Sequence, residues 1–265
     1  MLYGAMNFPI RPVLGELEEI SALGFDYLEL IMDPPQAHYS VIQEQKEEIL
    51  KSVKRLDMSL VCHLPTFVYT ADLTESLRRA SVKEMLGSLE VAAGLEPLKV
   101  VIHPGYIMGL STFVPEQAKQ YAMESLETIV ERAHQLGLCL CVENMFPRSK
   151  WLVNPEDFVE ILERFPTLNL TLDTGHAHLS DPEDRTCVEF IEKFPDRIGH
   201  VHTNDNLGDE DTHLPIGVGS VDFPKITKAL KEAGYNDTVT LEVFSRDRDY
   251  LKMSWQKLKA MFESP

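Results

Sequence analysis

Leu138–Glu143 reads LCLCVE, and the reading of this hexapeptide decides the architecture. Successive side chains of a strand point to opposite faces, so residues two apart share a side. If the Glu143 carboxylate faces one way, Cys141 and Cys139 face with it, while Leu140 and Val142 face the other. The same alternation recurs along the chain. Val61, Val101, Thr171, His200 and Thr240 fall on the Cys141 side, and Leu60, Ile102, Leu172, Val201, Leu241 and Val243 on the opposite one. One face is uniformly apolar; the other turns polar only where each strand ends. A closed parallel sheet with helices outside and a polar mouth at the carboxyl ends of its strands reads this way.

The strand ends are regularly spaced. His63, His103, Glu143, Asp173, His202 and Glu242 follow one another at intervals of 40, 40, 30, 29 and 40 residues, about one strand–helix unit each. Strands are expected at Leu2–Asn7, Tyr27–Ile31, Ser59–His63, Lys99–His103, Leu138–Glu143, Leu170–Asp173, Ile198–Thr203 and Val239–Phe244. Helical periodicity falls between them, at Gly15–Leu23, Ile42–Leu56, Leu73–Ala93, Pro115–Leu136, Pro155–Arg164, Arg185–Lys193, Pro224–Ala233 and Asp247–Met261. Asn154-Pro155 and Asp222-Phe223-Pro224 put proline in a first turn, and Gly24, Gly94, Gly137 and Gly234 are expected to close helices. Eight strands alternating with eight helices define a (β/α)8 TIM barrel, one α/β domain over residues 1–265. A doubly wound open sheet would want a glycine-rich phosphate turn after the first strand, and Asn7-Phe8-Pro9 offers none.

Composition narrows the chemistry. The 42 acidic against 25 basic side chains give −17, a field that disfavours nucleic acid and anionic membranes as partners. Four scattered cysteines without a CxxC pair suit a reduced cytoplasm, and Cys139 and Cys141 read as barrel filling. No apolar run reaches membrane-spanning length, so a cytoplasmic protein is expected. The tail Glu263-Ser264-Pro265 is expected to fray.

The chemistry-bearing residues converge. Ile198–Phe223, IGHVHTNDNLGDEDTHLPIGVGSVDF, runs from a His-bearing strand into a polar loop that returns with Asp211 and His213. Together with Glu29, His63, His103, Glu143, Asp173, His176 and Glu242, these residues would crowd one barrel mouth. A single histidine of this kind is as often a satisfied core residue as a ligand. With Glu29 set aside, four carboxylates and five imidazoles (His63, His103, His176, His202 and His213) cannot share a pocket unpaired, however, and one to three divalent cations would resolve the crowding. Oxygen and nitrogen donors suit Mn2+, Zn2+, Co2+ or Mg2+. His178 reads as structural support, His38 and His134 as surface or helix residues. Arg148, Lys150, Trp151 and Arg246 follow strands five and eight, where charge and an apolar wall could meet a substrate; loop basics are more often simply solvated.

The segments HPG at 103–105, VEN at 142–144, LDTGHAH at 172–178, HVHTND at 200–205, HLPIGVGSVDF at 213–223 and LEV at 241–243 resemble the xylose-isomerase-like TIM-barrel superfamily, which holds sugar isomerases, epimerases and endonuclease IV-type repair enzymes. The resemblance spans essentially the whole chain. It implies a core metal site on Glu143, Asp173, His202 and Glu242, with His63, His103, His176, Asp211 and His213 matching the further ligands of the endonuclease branch. It also implies Glu143 and Glu242 as ligand and acid/base at once. His176 is expected to support substrate oxygens, and Glu29, Arg148, Trp151 and Arg246 are expected as substrate contacts. Three activities follow as expectations. The favoured one is a metal-dependent isomerase or epimerase of a sugar, sugar phosphate or polyol, working by proton transfer through an enediolate. The second is a multinuclear phosphodiesterase, opposed by the charge and by the apolar, acidic loop LPTFVYTADL after His63. The third is a non-catalytic metal-binding barrel. A small carbohydrate is the expected partner, and assembly into homo-oligomers is left open.

Overall fold

The computed structural model describes residues 1–264. Its eight strands close into one parallel barrel, each hydrogen-bonded to the next in sequence and the last to the first. They are β1 (Leu2–Met6), β2 (Tyr27–Ile31), β3 (Ser59–His63), β4 (Val100–Ile102), β5 (Leu140–Glu143), β6 (Asn169–Asp173), β7 (Ile198–Thr203) and β8 (Thr238–Leu241). The barrel is jacketed by helices α1 (Val13–Leu23), α2 (Tyr39–Leu56), α3 (Glu75–Ala93), α4 (Pro115–Gln135), α5 (Pro155–Arg164), α6 (Thr174–Ser180), α7 (Arg185–Lys193), α8 (Phe223–Glu232) and α9 (Asp249–Glu263). Among the described residues no helix is long and apolar enough to cross a membrane.

Two separate apolar clusters follow from the strand alternation. Leu60, Ile102, Leu172, Val201, Leu241 and Val243 belong to the large layer between strands and helices. Tyr27, Val61 and Val101 form a small cluster of their own inside the barrel. Tyr27 fills the centre because β1 offers Gly4 opposite it; a Cβ there would meet the ring at 2.1 Å. Its hydroxyl bonds Thr240 Oγ1 at 2.8 Å, so the one polar atom of the plug is satisfied.

Several boundaries differ from the sequence-based expectations. His103 and Glu242 lie just beyond β4 and β8, and Cys139 precedes β5. A ninth helix, α6, starts directly from β6: Asp173 ends the strand and caps the helix, its Oδ1 accepting the His176 N–H at 2.7 Å. Gly24, Gly137 and Gly234 take the left-handed turn expected after a helix, but Gly94 stays right-handed. The expected fraying at 263–265 stops short, since the Ser264 N–H still donates to the Ala260 carbonyl; Pro265 lies outside the described residues.

Candidate active site

Each strand from β3 to β8, or the residue that directly follows it, delivers a polar side chain to the carboxyl-terminal mouth. His63, Glu143 and Asp173 are the last residues of β3, β5 and β6; His202 is one short of the end of β7. His176 is brought alongside by α6. The loop after β7 turns back through an antiparallel bridge between Asp205 and Leu214, which presents Asp211 and His213. His213 adopts a left-handed backbone (φ 46°), a conformation costing on the order of 1 kcal/mol for a residue with a Cβ. Its ring is steadied against Phe244 at 4.8 Å between centroids.

Glu143 is the hub. Its Oε2 lies 3.5 Å from His63 Nε2, 3.3 Å from His103 Nε2 and 3.4 Å from His202 Nδ1, and its Oε1 lies 3.2 Å from His176 Nδ1. Glu242 Oε1 is 3.0 Å from the same His202 Nδ1, and Asp173 Oδ2 is 3.9 Å from it. Asp211 Oδ2 sits between His176 Nε2 (3.3 Å) and His213 Nε2 (3.2 Å).

The outer partners of the imidazoles set which nitrogen faces the mouth. Backbone carbonyls only accept, so the Nδ1 atoms of His63, His176 and His213 donate to Leu64, Asn144 and Glu242 carbonyls, which turns each Nε2 toward the acids of the mouth. His103 Nδ1 pairs with the Tyr106 hydroxyl at 2.7 Å. His202 is turned the other way, with Nε2 on Glu29 Oε1 at 3.0 Å and Nδ1 exposed to the acids. A carboxylate behind a histidine is the arrangement that orients and strengthens a metal-binding imidazole.

Three buried atoms, Glu143 Oε2, Asp173 Oδ2 and His202 Nδ1, have no hydrogen-bond partner. They lie within 4.8 Å of one another, and the Nε2 atoms of His63 and His103 form a second such group with Glu143. Unpaired buried donor atoms converging on one point fit a divalent cation. A third group, Glu29 with His200 and His202, is different: its atoms are bonded to each other one layer down, with His200 Nε2 on Glu29 Oε2 at 2.9 Å.

The electrostatics carry the same demand for positive charge. Burial opposes ionisation of Glu143, yet His103 and His202 outweigh it and hold its carboxyl well below the usual range. Burial and the neighbouring Glu242 and Glu143 push Asp173 up to about 7 against the pull of His176. Burial would discharge His202, but Glu242, Glu29 and Glu143 keep its imidazole well above its ordinary value. His213, between Asp211 and Glu242, is raised to about 9 in spite of burial. The acids recruit protons onto the imidazoles where a cation would serve instead.

Above this floor opens a cavity of about 760 Å³. Its wall includes Phe8, Phe67, Tyr106, Met108, Phe146 and Phe244, with Arg148 at the edge.

A family model described as xylose isomerase-like TIM barrel matches residues 17–263. The chain belongs to that family. An uncharacterised protein of Methanocaldococcus jannaschii is 29% identical over 252 residues, covering 91% of this chain and 83% of the relative. A solved structure described as a D-tagatose 3-epimerase-like protein superposes with a TM-score of 0.88 at 29% identity, covering 99% of this chain and 97% of the other. Fructoselysine 3-epimerase of Escherichia coli O157:H7 is 22% identical over 270 residues, 94% of each chain. A probable endonuclease 4 of Malacoplasma penetrans is also a relative.

All nine residues expected as ligands from the likeness to this family gather at the one mouth. The expected substrate contacts divide. Arg148 is on the cavity wall. Glu29 is fully buried beneath His202 and reaches no cavity surface, because its parity on β2 places it a layer lower. Trp151, 7% exposed, is turned into the core, and Arg246 is exposed but outside the wall. Sequence reasoning missed Asn144, Tyr106 and the wall aromatics. Asn144 had a signal, standing next to Glu143: its side chain donates to the Asp173 carbonyl at 3.0 Å and accepts the Asp173 N–H at 2.7 Å, stitching β5 to β6.

Proposed function

We propose that the chain is a divalent-metal-dependent epimerase or isomerase acting on an unphosphorylated sugar. The observation that carries this reading is the pair Glu143 and Glu242. Both carboxylates border the cavity, and they approach one imidazole nitrogen, His202 Nδ1, from β5 and from just past β8. Glu143, Asp173, His202 and Glu242 would hold the ion, with His63, His103, His176, Asp211 and His213 offering room for one or two more. A bound Mn2+, Zn2+, Co2+ or Mg2+ supplies Lewis acidity that makes the C–H beside a substrate carbonyl removable.

The chain's own groups do the rest. Glu143, held ionised, takes the proton from the carbon beside the carbonyl. Glu242 would enter the step protonated, give that proton to the other face of the carbon and so invert it; Glu143 is left protonated and Glu242 ionised, and exchange with water restores both. His176, anchored through Nδ1, turns Nε2 toward a substrate oxygen. The names of the epimerase relatives support this chemistry. Absence of a phosphate on the substrate is supported by charge: apart from the histidines, Arg148 is the one basic residue among those lining the cavity.

A phosphodiesterase of the endonuclease 4 kind is the second reading, favoured by the nine gathered donors. The −17 charge and the apolar wall oppose it. The deciding experiment incubates metal-loaded protein with a panel of ketoses in D2O. Deuterium should enter at the carbon beside the carbonyl, and Glu143→Gln or Glu242→Gln should slow exchange by roughly 10²–10⁴-fold. Exchange retained in both variants overturns the two-carboxylate scheme; metal-dependent nicking of abasic duplex DNA, lost in Glu143→Gln, favours the second reading.

A further inference from the structure

The cavity has more room and more apolar wall than a bare sugar fills. A hexose displaces on the order of six waters, about 180 Å³ at roughly 30 Å³ each, whereas the cavity measures about 760 Å³. Recognition of a sugar needs hydrogen-bonding groups, and beyond the floor the lining offers only Asp33, Thr66, Tyr69, Tyr106 and Arg148. Higher up, the Asp33 carboxylate already accepts the Thr66 N–H, and the Tyr106 hydroxyl already pairs with His103. The apolar side chains of the wall include Phe8, Phe67, Met108, Phe146 and Phe244, and three of them stand in water: Phe67 is 77% exposed, Met108 48% and Phe244 39%. Large apolar groups ringing the open end of a polar-floored cavity mark a surface that a ligand covers.

We propose that the substrate is a sugar carrying an apolar substituent, aromatic or alkyl, that lies against Phe67, Met108 and Phe244 while the sugar ring meets the floor. The assignment rests on the sugar epimerase reading and adds an apolar subsite to it. Continuity of the apolar wall with the floor selects a single small molecule as occupant over a separate partner.

Calorimetric titration of the metal-loaded 265-residue chain with methyl, butyl and hexyl β-D-glucopyranoside tests it, because the head group is constant and only the apolar tail grows. Affinity should rise about fourfold per added methylene, and Phe67→Ala and Phe244→Ala should each weaken hexyl glucoside binding about tenfold. Affinity that is flat along the series, or a slope that both variants leave intact, overturns the subsite. A flat series with concentration-dependent dimerisation assigns the apolar rim to a second copy and also overturns it. Solvent deuterium exchange on ketoses together with a flat series removes the subsite and leaves the epimerase reading standing. A steep series with no exchange on any ketose removes the epimerase reading, and the sugar half of the proposal falls with it.

Discussion

Glu29 touches no substrate surface, yet it decides how His202 is presented. Its two oxygens are taken by His202 Nε2 and His200 Nε2, and burial, which alone would protonate it, is outweighed by those imidazoles, so it stays well below the usual carboxylate range. Glu29→Gln keeps the shape but removes the charge behind His202. Metal affinity, read by competition with a chromophoric chelator, should drop roughly 10–100-fold, while the far-UV spectrum is retained; undiminished affinity would refute the orienting role. His178 shows how far residue geometry alone can mislead. Its Nδ1 lies 2.7 Å from Asp184 and its Nε2 2.9 Å from Ser220 Oγ, the order of a nucleophile relay. The amides that could steady an oxyanion beside Ser220 are occupied: Gly219 and Val221 donate to Asp205, and Ser220 to the Asn206 carbonyl. None of the three residues lines the cavity. The trio pins a loop.

That loop, the return from β7 to α8, is the element on which the site's far side depends. Asp205, fully buried, accepts N–H bonds from Asn206, Gly217, Gly219 and Val221 at 2.8 to 3.1 Å. Asp205→Ala would strand four amides at once, costing about 3–5 kcal/mol, readable as a lowered urea midpoint. A loss under 1 kcal/mol would mean that water replaces the carboxylate. Elements were legible in the sequence to different depths. β2, β3 and β7 match expectation to the residue, each being a short run whose alternate side chains fall on the two faces of the sheet. α6 was missed because seven residues hold too little periodicity, although Asp173 followed three residues later by His176 was a cap signal in plain view. Strand parity also made Glu143, Asp173 and His202 readable as a group. Parity says nothing about loops, so the inward turn of Trp151 and the outward one of Arg246 were beyond it.

At the scale of the molecule, the field of so many acids shows in groups far from the mouth. Burial, reinforced by Glu263 and Asp26, raises the Tyr3 phenol from 10.0 to about 12. A raised folded value means the native state holds the proton more tightly, so the stabilisation is complete below pH 10 and is lost as pH climbs from 10 to 12. Thermal midpoints should fall across that window, and Tyr3→Phe should flatten the fall; an equal slope in the variant would locate the alkaline weakness elsewhere.

The donors come one from each strand or its immediate exit from β3 onward, with α6 adding His176 and the loop beyond β7 adding two more, so most of the polypeptide must be in register before the set is complete. An ion held there is a fastener for the whole ring. Partial unravelling of any one βα unit would release it, which turns a visible-band cobalt spectrum into a gauge of whether the protein melts as a single cooperative body or piece by piece.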